Sequence, residues 1–140
     1  MLDFVHPRLA IGDAGAAATN PGRFAAGLCV AEEIALPGGF RAAHKVPIVD
    51  MQPIPERQLQ EAVEWLRAWI GEGPLLVFCN AGVGRSSSVV VGYFCTVLGY
   101  RFGDAVEHVA RRHPNMSLLP FLLPTIEAVR ERLGTGPGPR

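Results

Sequence analysis

This 140-residue chain predicts an α/β layer fold: a mostly parallel sheet with helices on both faces. Three observations carry that expectation. Short unbroken apolar runs, Gly27-Leu28-Cys29-Val30-Ala31 and Leu75-Leu76-Val77-Phe78, have the length and flanking residues of buried strands. Longer stretches, clearest from Glu56 to Ile70, repeat apolar residues at three- and four-residue intervals as helices do. Strand-like and helix-like stretches also alternate along the chain, which favours parallel pairing. The length suits one domain with a real core and is too short for two.

Taken in order, Phe4 to Ile11 reads as a short extended segment broken by Pro7. Asn20-Pro21 resembles a cap followed by proline at the first helical position, predicting a short helix near 21–26. A strand over Gly27 to Ala31 ends at Glu32-Glu33, and Pro37-Gly38-Gly39 marks a loop. His44 to Val49 is a further strand, closed by Asp50 and a Pro-containing connector, Pro53-Ile54-Pro55.

The helix from Glu56 to Ile70 places Leu59, Val63, Leu66 and Ile70 on one face, with Trp65 and Trp69 at core and flank positions. Gly71, Gly73 and Pro74 end it. Leu75 to Phe78 follows as a central parallel strand with Cys79 at its carboxyl end. The almost wholly apolar segment from Ser86 to Leu98 makes sense as a buried helix on that sheet. Helices over Asp104 to Arg112 and Thr125 to Leu133 complete a domain spanning 1–133. The Gly- and Pro-rich stretch at 134–140 reads as a flexible tail.

Thirteen basic and thirteen acidic side chains cancel, so no global field points to nucleic acid or a membrane surface. The amino terminus lacks the pattern of a secretory signal, and the longest apolar run is too short to span a bilayer. Cysteines at 29, 79 and 95 form neither an even disulfide framework nor a metal-ligand spacing, and His6, His44, His108 and His113 share no such pattern. Together these predict a cytoplasmic protein with reduced thiols.

In α/β sheets ligands bind beyond the carboxyl ends of the strands, where both Cys79 and Asp50 fall. Cys79-Asn80-Ala81-Gly82-Val83-Gly84-Arg85-Ser86 joins strand to helix, and its two glycines let the backbone curl. The amides of Asn80, Ala81, Gly82, Val83, Gly84 and Arg85 can then face an anion at a helix amino terminus, with phosphate the obvious ligand. Arg85 adds a planar fork for two phosphoryl oxygens, and the same charges favour the thiolate of Cys79. A thiolate beneath a phosphate can attack phosphorus in line, with neither metal nor cofactor needed.

Cys79, Gly82, Arg85 and Ser86 match the signature His-Cys-x-x-Gly-x-x-Arg-Ser/Thr, so the sequence resembles the Cys-x5-Arg tyrosine and dual-specificity phosphatases. Asp50 lies 79 − 50 = 29 residues before the cysteine, where that family carries its general acid. Arg112-His113-Pro114-Asn115 resembles the Arg-x-Pro-Asn element that buttresses the family's loop. The resemblance runs from about Phe4 to Leu133. It implies a single-domain phosphatase-type fold and hydrolysis of phosphotyrosine, extending to phosphoserine and phosphothreonine. In that scheme Asp50 protonates the leaving group and then activates water, while Ser86 eases departure of the thiolate. The substrate is then a phosphorylated protein or a small phosphomonoester. With no lysine between Cys79 and Arg85, highly anionic inositol phosphates are less favoured.

The sequence departs from the signature at one place: Phe78 stands where the family has histidine, so activity lower than that of a typical member, or shifted toward higher pH, is expected. A pseudophosphatase that binds phosphorylated partners with little turnover is therefore the second reading. A sulfurtransferase or arsenate reductase using a similar anion loop is the third. Cys29 and Cys95 read as core thiols, with a resolving thiol for an oxidised Cys79 as the alternative. Glu32-Glu33 reads as solvated loop charge, with contact to the substrate rim as the alternative.

Overall fold

The computed structural model describes residues 1–134, so the predicted tail lies, beyond Gly134, outside the described residues. Five strands form one sheet: β1 (Leu2–His6), β2 (Leu9–Gly12), β3 (Ala26–Cys29), β4 (Ala43–Lys45) and β5 (Leu75–Phe78). Their order is β1-β2-β5-β3-β4. β5 is central and pairs in parallel with β2 and β3, while β1 alone runs antiparallel. All four residues of β5 are buried, which explains why its sequence is continuously apolar rather than alternating.

The predicted extended segment is in fact two strands folded back on each other. Pro7 sits between them, where its missing N–H interrupts no ladder. The helix predicted near 21–26 is only a three-residue 3₁₀ turn, Pro21–Arg23, whose Asn20 makes no side-chain cap. A six-residue helix, α1 (Ala14–Thr19), precedes it, capped by Asp13, whose Oδ1 accepts from Ala16 N at 2.8 Å. The strand predicted over His44 to Val49 shrinks to β4. Pro47 cannot donate to a ladder, and Ile48 N turns back to Val46 O at 2.8 Å.

Four longer helices follow the sequence closely: α2 (Glu56–Trp69), α3 (Arg85–Thr96), α4 (Phe102–Arg112) and α5 (Leu122–Leu133). They pack on one another as a layer over the sheet. α1 lies against Gly12 and Leu76, on the face to which Phe78 also points. α2 buries Leu59, Ala62, Val63 and Leu66 along one stripe. Every residue of α3 is buried, because it lies between the sheet and the other helices. Its Gly92 lets Leu59 of α2 approach closely, since a Cβ there would lie 2.9 Å from Leu59 Cδ1. α5 starts three residues earlier than predicted, with Pro124 accommodated in its first turn.

This topology delivers Cys79 directly from the central strand into the turn that opens α3. The connection after β3 and the one after β4 flank it, because β3 is the neighbour of β5 and β4 the neighbour of β3.

Candidate functional site

The turn from Cys79 to Arg85 has its carbonyls secured from outside. Asn80 O accepts from Ala14 N at 3.2 Å, Val83 O from Ser117 N at 3.0 Å, and Gly82 O contacts His113 Nε2 at 2.7 Å. None of the amides of residues 80–85 has a protein acceptor among the described residues. Carbonyls held outward and amides left unpaired at the start of a helix make a concave donor set for an anion. Only Gly82 of the two loop glycines has a positive φ, at 71°, and a Cβ there would lie 2.8 Å from Gly12 O. Gly84 has an ordinary φ, and a Cβ on it would point toward Ser117 Oγ and Asp50 Oδ1 at the mouth.

Arg85 is 2% exposed, and its five N–H donors can be assigned one by one. Nη1 and Nη2 each meet one oxygen of Glu33 at 2.6 Å, and Nη1 also donates to Ile48 O at 3.0 Å. Two donors remain. They are Nε–H, a buried atom with no hydrogen-bond partner, and the second proton of Nη2. These lie on the same edge of the guanidinium and form a parallel fork of the kind that grips two oxygens of a phosphate. The nearest acceptor to Nε is Asp50 Oδ1, at 3.8 Å.

Glu33 corrects the sequence reading, which treated it as solvated loop charge. Its turn is pinned by Glu32 N to Ile48 O at 3.0 Å and by Lys45 Nζ to Glu32 O at 2.9 Å and Ile34 O at 2.7 Å. Hydrogen bonds from Arg85 hold the Glu33 carboxyl down to about 2, and the same bonds raise the pKa of the guanidinium. The signal available in the sequence was an acidic pair directly after the strand that neighbours the cysteine's own.

Of the other predicted residues, Ser86 donates its hydroxyl to Cys79 Sγ at 2.9 Å, with both side chains buried. Asp50 is 56% exposed and accepts from its own neighbour, Met51 N, at 2.9 Å. It borders a cleft that continues past Val83 and Gly84 to Ser117 and Pro120. Phe78 is fully buried and stacks on Phe40, ring centroids 6.0 Å apart and planes 7° from parallel. Gly27 makes room for that stack, since a Cβ there would meet Phe40 Cε1 at 2.7 Å.

The buttress expected from Arg112-His113-Pro114-Asn115 exists, but its working atoms are different. Arg112 turns to His108, whereas His113, which the sequence reading left at the variable position of that element and gave no catalytic role, reaches the loop. All three cysteines are free. Cys29 turns its thiol toward the carbonyls of Ala31 and Ile34, at 3.7 Å each, and its pKa is raised by burial. Burial pushes Cys95 up to about 11. Among the described residues no cluster of His, Cys, Asp or Glu could hold a metal, and no helix is long and apolar enough to cross a membrane.

The chain matches no family model. It is 28% identical over 72 residues to human dual specificity protein phosphatase 15, covering 50% of this chain and 24% of that protein. The matched segment thus spans about a quarter of the relative's length. Among solved structures, human DUSP28 superposes with a TM-score of 0.83 at 22% identity, over 96% of this chain and 95% of the other. A mouse putative dual specificity phosphatase complexed with zinc tungstate superposes with a TM-score of 0.79 at 24% identity, over 94% and 87%. The chain therefore resembles the dual-specificity phosphatases in sequence and has their fold.

Proposed function

We infer that the protein is a cysteine-dependent phosphomonoesterase of the dual-specificity type, acting on phosphotyrosine and, within the same class, phosphoserine and phosphothreonine. The observation that carries this reading is the donor inventory of Arg85. Three of its N–H groups are consumed by Glu33 and Ile48, leaving a two-pronged edge and an unpartnered buried Nε–H beside the unpaired loop amides. A tetrahedral dianion supplies what both lack.

In this reading the loop amides and Arg85 hold three phosphoryl oxygens, leaving the fourth, ester oxygen toward Asp50. The Cys79 thiolate attacks phosphorus, forming an S–P bond as the P–O ester bond breaks, and Asp50 gives its proton to the departing oxygen. Asp50, now a carboxylate, takes a proton from a water whose oxygen attacks phosphorus. The P–S bond then breaks and the thiolate returns, stabilised by the Ser86 hydroxyl already directed at Sγ. Arg85 grips the equatorial oxygens most tightly when charge spreads over them in the transition state.

A second reading, a module that binds phosphorylated partners with little turnover, is favoured by Phe78. Its stack on Phe40 puts an apolar ring where the resembled family has a hydrogen-bonding histidine. Hydrolysis of an aryl phosphate by the wild type, Cys79→Ser and Asp50→Asn separates the two. The enzyme reading expects Cys79→Ser to lose activity by roughly 10³-fold or more and Asp50→Asn by about 10²-fold. A wild type no faster than Cys79→Ser at any pH from 5 to 9 sinks it. Phosphopeptide binding retained in that case would establish the second.

A further inference from the structure

We propose that Asp3 and His113 form a proton-dependent brace that sets the anion-binding geometry of the loop, with His113 as its positioning residue. The inference rests on the oxyanion-binding reading of the loop given above.

His113 is 1% exposed, and its ring lies between two acceptors. Nδ1 is 2.7 Å from Asp3 Oδ2, and Nε2 is 2.7 Å from Gly82 O. An ionised carboxylate and a carbonyl can only accept hydrogen bonds, so both contacts require a proton on each ring nitrogen. A neutral imidazole carries one N–H and would set a lone pair against one of the two oxygens. The pair therefore keeps both bonds only while it holds the extra proton.

The bond ends on a part of the loop that can move. Gly82 is the loop residue with positive φ, and its carbonyl belongs to the same peptide plane as the Val83 amide. Holding that oxygen outward aims the Val83 N–H into the anion seat, and a hydrogen bond to the carbonyl polarises the amide as a donor. If the carbonyl is released, the plane can rotate about the glycine and bring oxygen rather than hydrogen toward the ligand. The two other outward bonds of the loop, at Asn80 O and Val83 O, come from backbone amides that do not titrate. Only the Gly82 bond depends on a proton.

Charge balance adds to the case. Arg85 is neutralised by Glu33, and Asp50 stands at the mouth, so the side chains at the seat supply no net positive charge of their own. The extra proton makes the Asp3–His113 pair behind Gly82 neutral, and its loss would leave a net negative charge there. The groups facing His113 are Asp3 from β1 and the Gly82 carbonyl from the loop. Arg112, the last residue of α4, is turned to His108, and Asp13 after β2 is bonded to the α-amino group of Met1.

The test is sulfate binding by calorimetry from pH 5.5 to 9, where sulfate stays a dianion. It is run in the Cys79→Ser background so that the thiol does not contribute. The brace predicts affinity falling roughly tenfold across this range, the scale of one charge-assisted hydrogen bond. Asp3→Asn should flatten the dependence, because its amide can donate to an unprotonated Nδ1 and leave Nε2–H on Gly82. His113→Gln, which donates to Gly82 O without titrating, should flatten it as well. Thermal unfolding would check that both variants fold. An unchanged pH dependence in folded Asp3→Asn overturns the proposal, as does a parent that binds sulfate equally at both ends of the range or not at all. Hydrolysis plays no part in these readouts, so an inactive wild type with the expected sulfate profile would fail the enzyme reading and leave the brace standing.

Discussion

The two ends of the Cys79–Arg85 turn are supported by opposite physics. At its carboxyl end Arg85 is held by a bidentate carboxylate and a carbonyl, and hydrogen bonding by Glu33 and Arg85 shifts the pKa of each toward its charged form. At its amino end Cys79 follows a strand of buried aliphatic residues and a Phe78–Phe40 stack, and among the described residues its side-chain hydrogen bond comes from the Ser86 hydroxyl. The Arg85 end is thus fixed by paired charges, while the Cys79 end is carried in by apolar packing.

The variant that should break the contrast most severely is Arg85→Lys. A single ammonium cannot serve Glu33, Ile48 O and two phosphoryl oxygens together, so kcat/KM should fall by about 10³-fold, and phosphate binding should weaken in parallel. A loss confined to kcat, with unchanged phosphate affinity, would place the binding energy elsewhere. Glu33→Gln should act more mildly, weakening phosphate binding about tenfold as the guanidinium gains freedom. It also has a pH signature. Because the folded carboxyl is depressed to about 2 from its ordinary value of 4.5, its stabilising contribution is complete above about 4.5 and lost as pH falls toward 2. Acid unfolding of Glu33→Gln should therefore be shallower over that window than for the wild type, as urea titrations at successive pH values would reveal.

Phe78→His sharpens the comparison from the other end. Losing the ring stack should cost about 1 kcal/mol of stability, and turnover of an aryl phosphate at neutral pH should rise several-fold if the apolar environment restrains the nucleophile. Unchanged turnover in a folded variant would show that the residue before the cysteine does not limit it. The smallest effect concerns Cys95, which burial pushes up to about 11. It should remain unalkylated by iodoacetamide at pH 8 in the native protein, with mass spectrometry as the readout, and Cys95→Ala should leave hydrolysis unchanged.

Helix and strand identity was legible wherever a local pattern existed. The α2 stripe and the apolar tetrapeptide of β5 were placed nearly to the residue because periodicity and Gly/Pro punctuation act over a few positions. The amino-terminal region was harder. There the proline signal at Asn20-Pro21 outcompeted the Asp13 cap, and an alanine-rich six-residue helix offered no apolar stripe. The β1–β2 hairpin was compressed into one segment because Pro7 marked a break without revealing its direction.

Cys79, Arg85 and Ser86 share one turn, so their proximity follows from covalent spacing, and the sequence by itself determined them as a constellation, with Asp50 added by resemblance. Glu33 and His113 are different. Glu33 meets Arg85 across 52 residues, and His113 meets Asp3 across 110. No local periodicity encodes such pairs. They exist because β3 lies beside β5, and because the segment after α4 passes behind a loop that β1 and β2 flank. The strand order, set by the global burial of apolar surface, decided which distant charges would hold the loop in place.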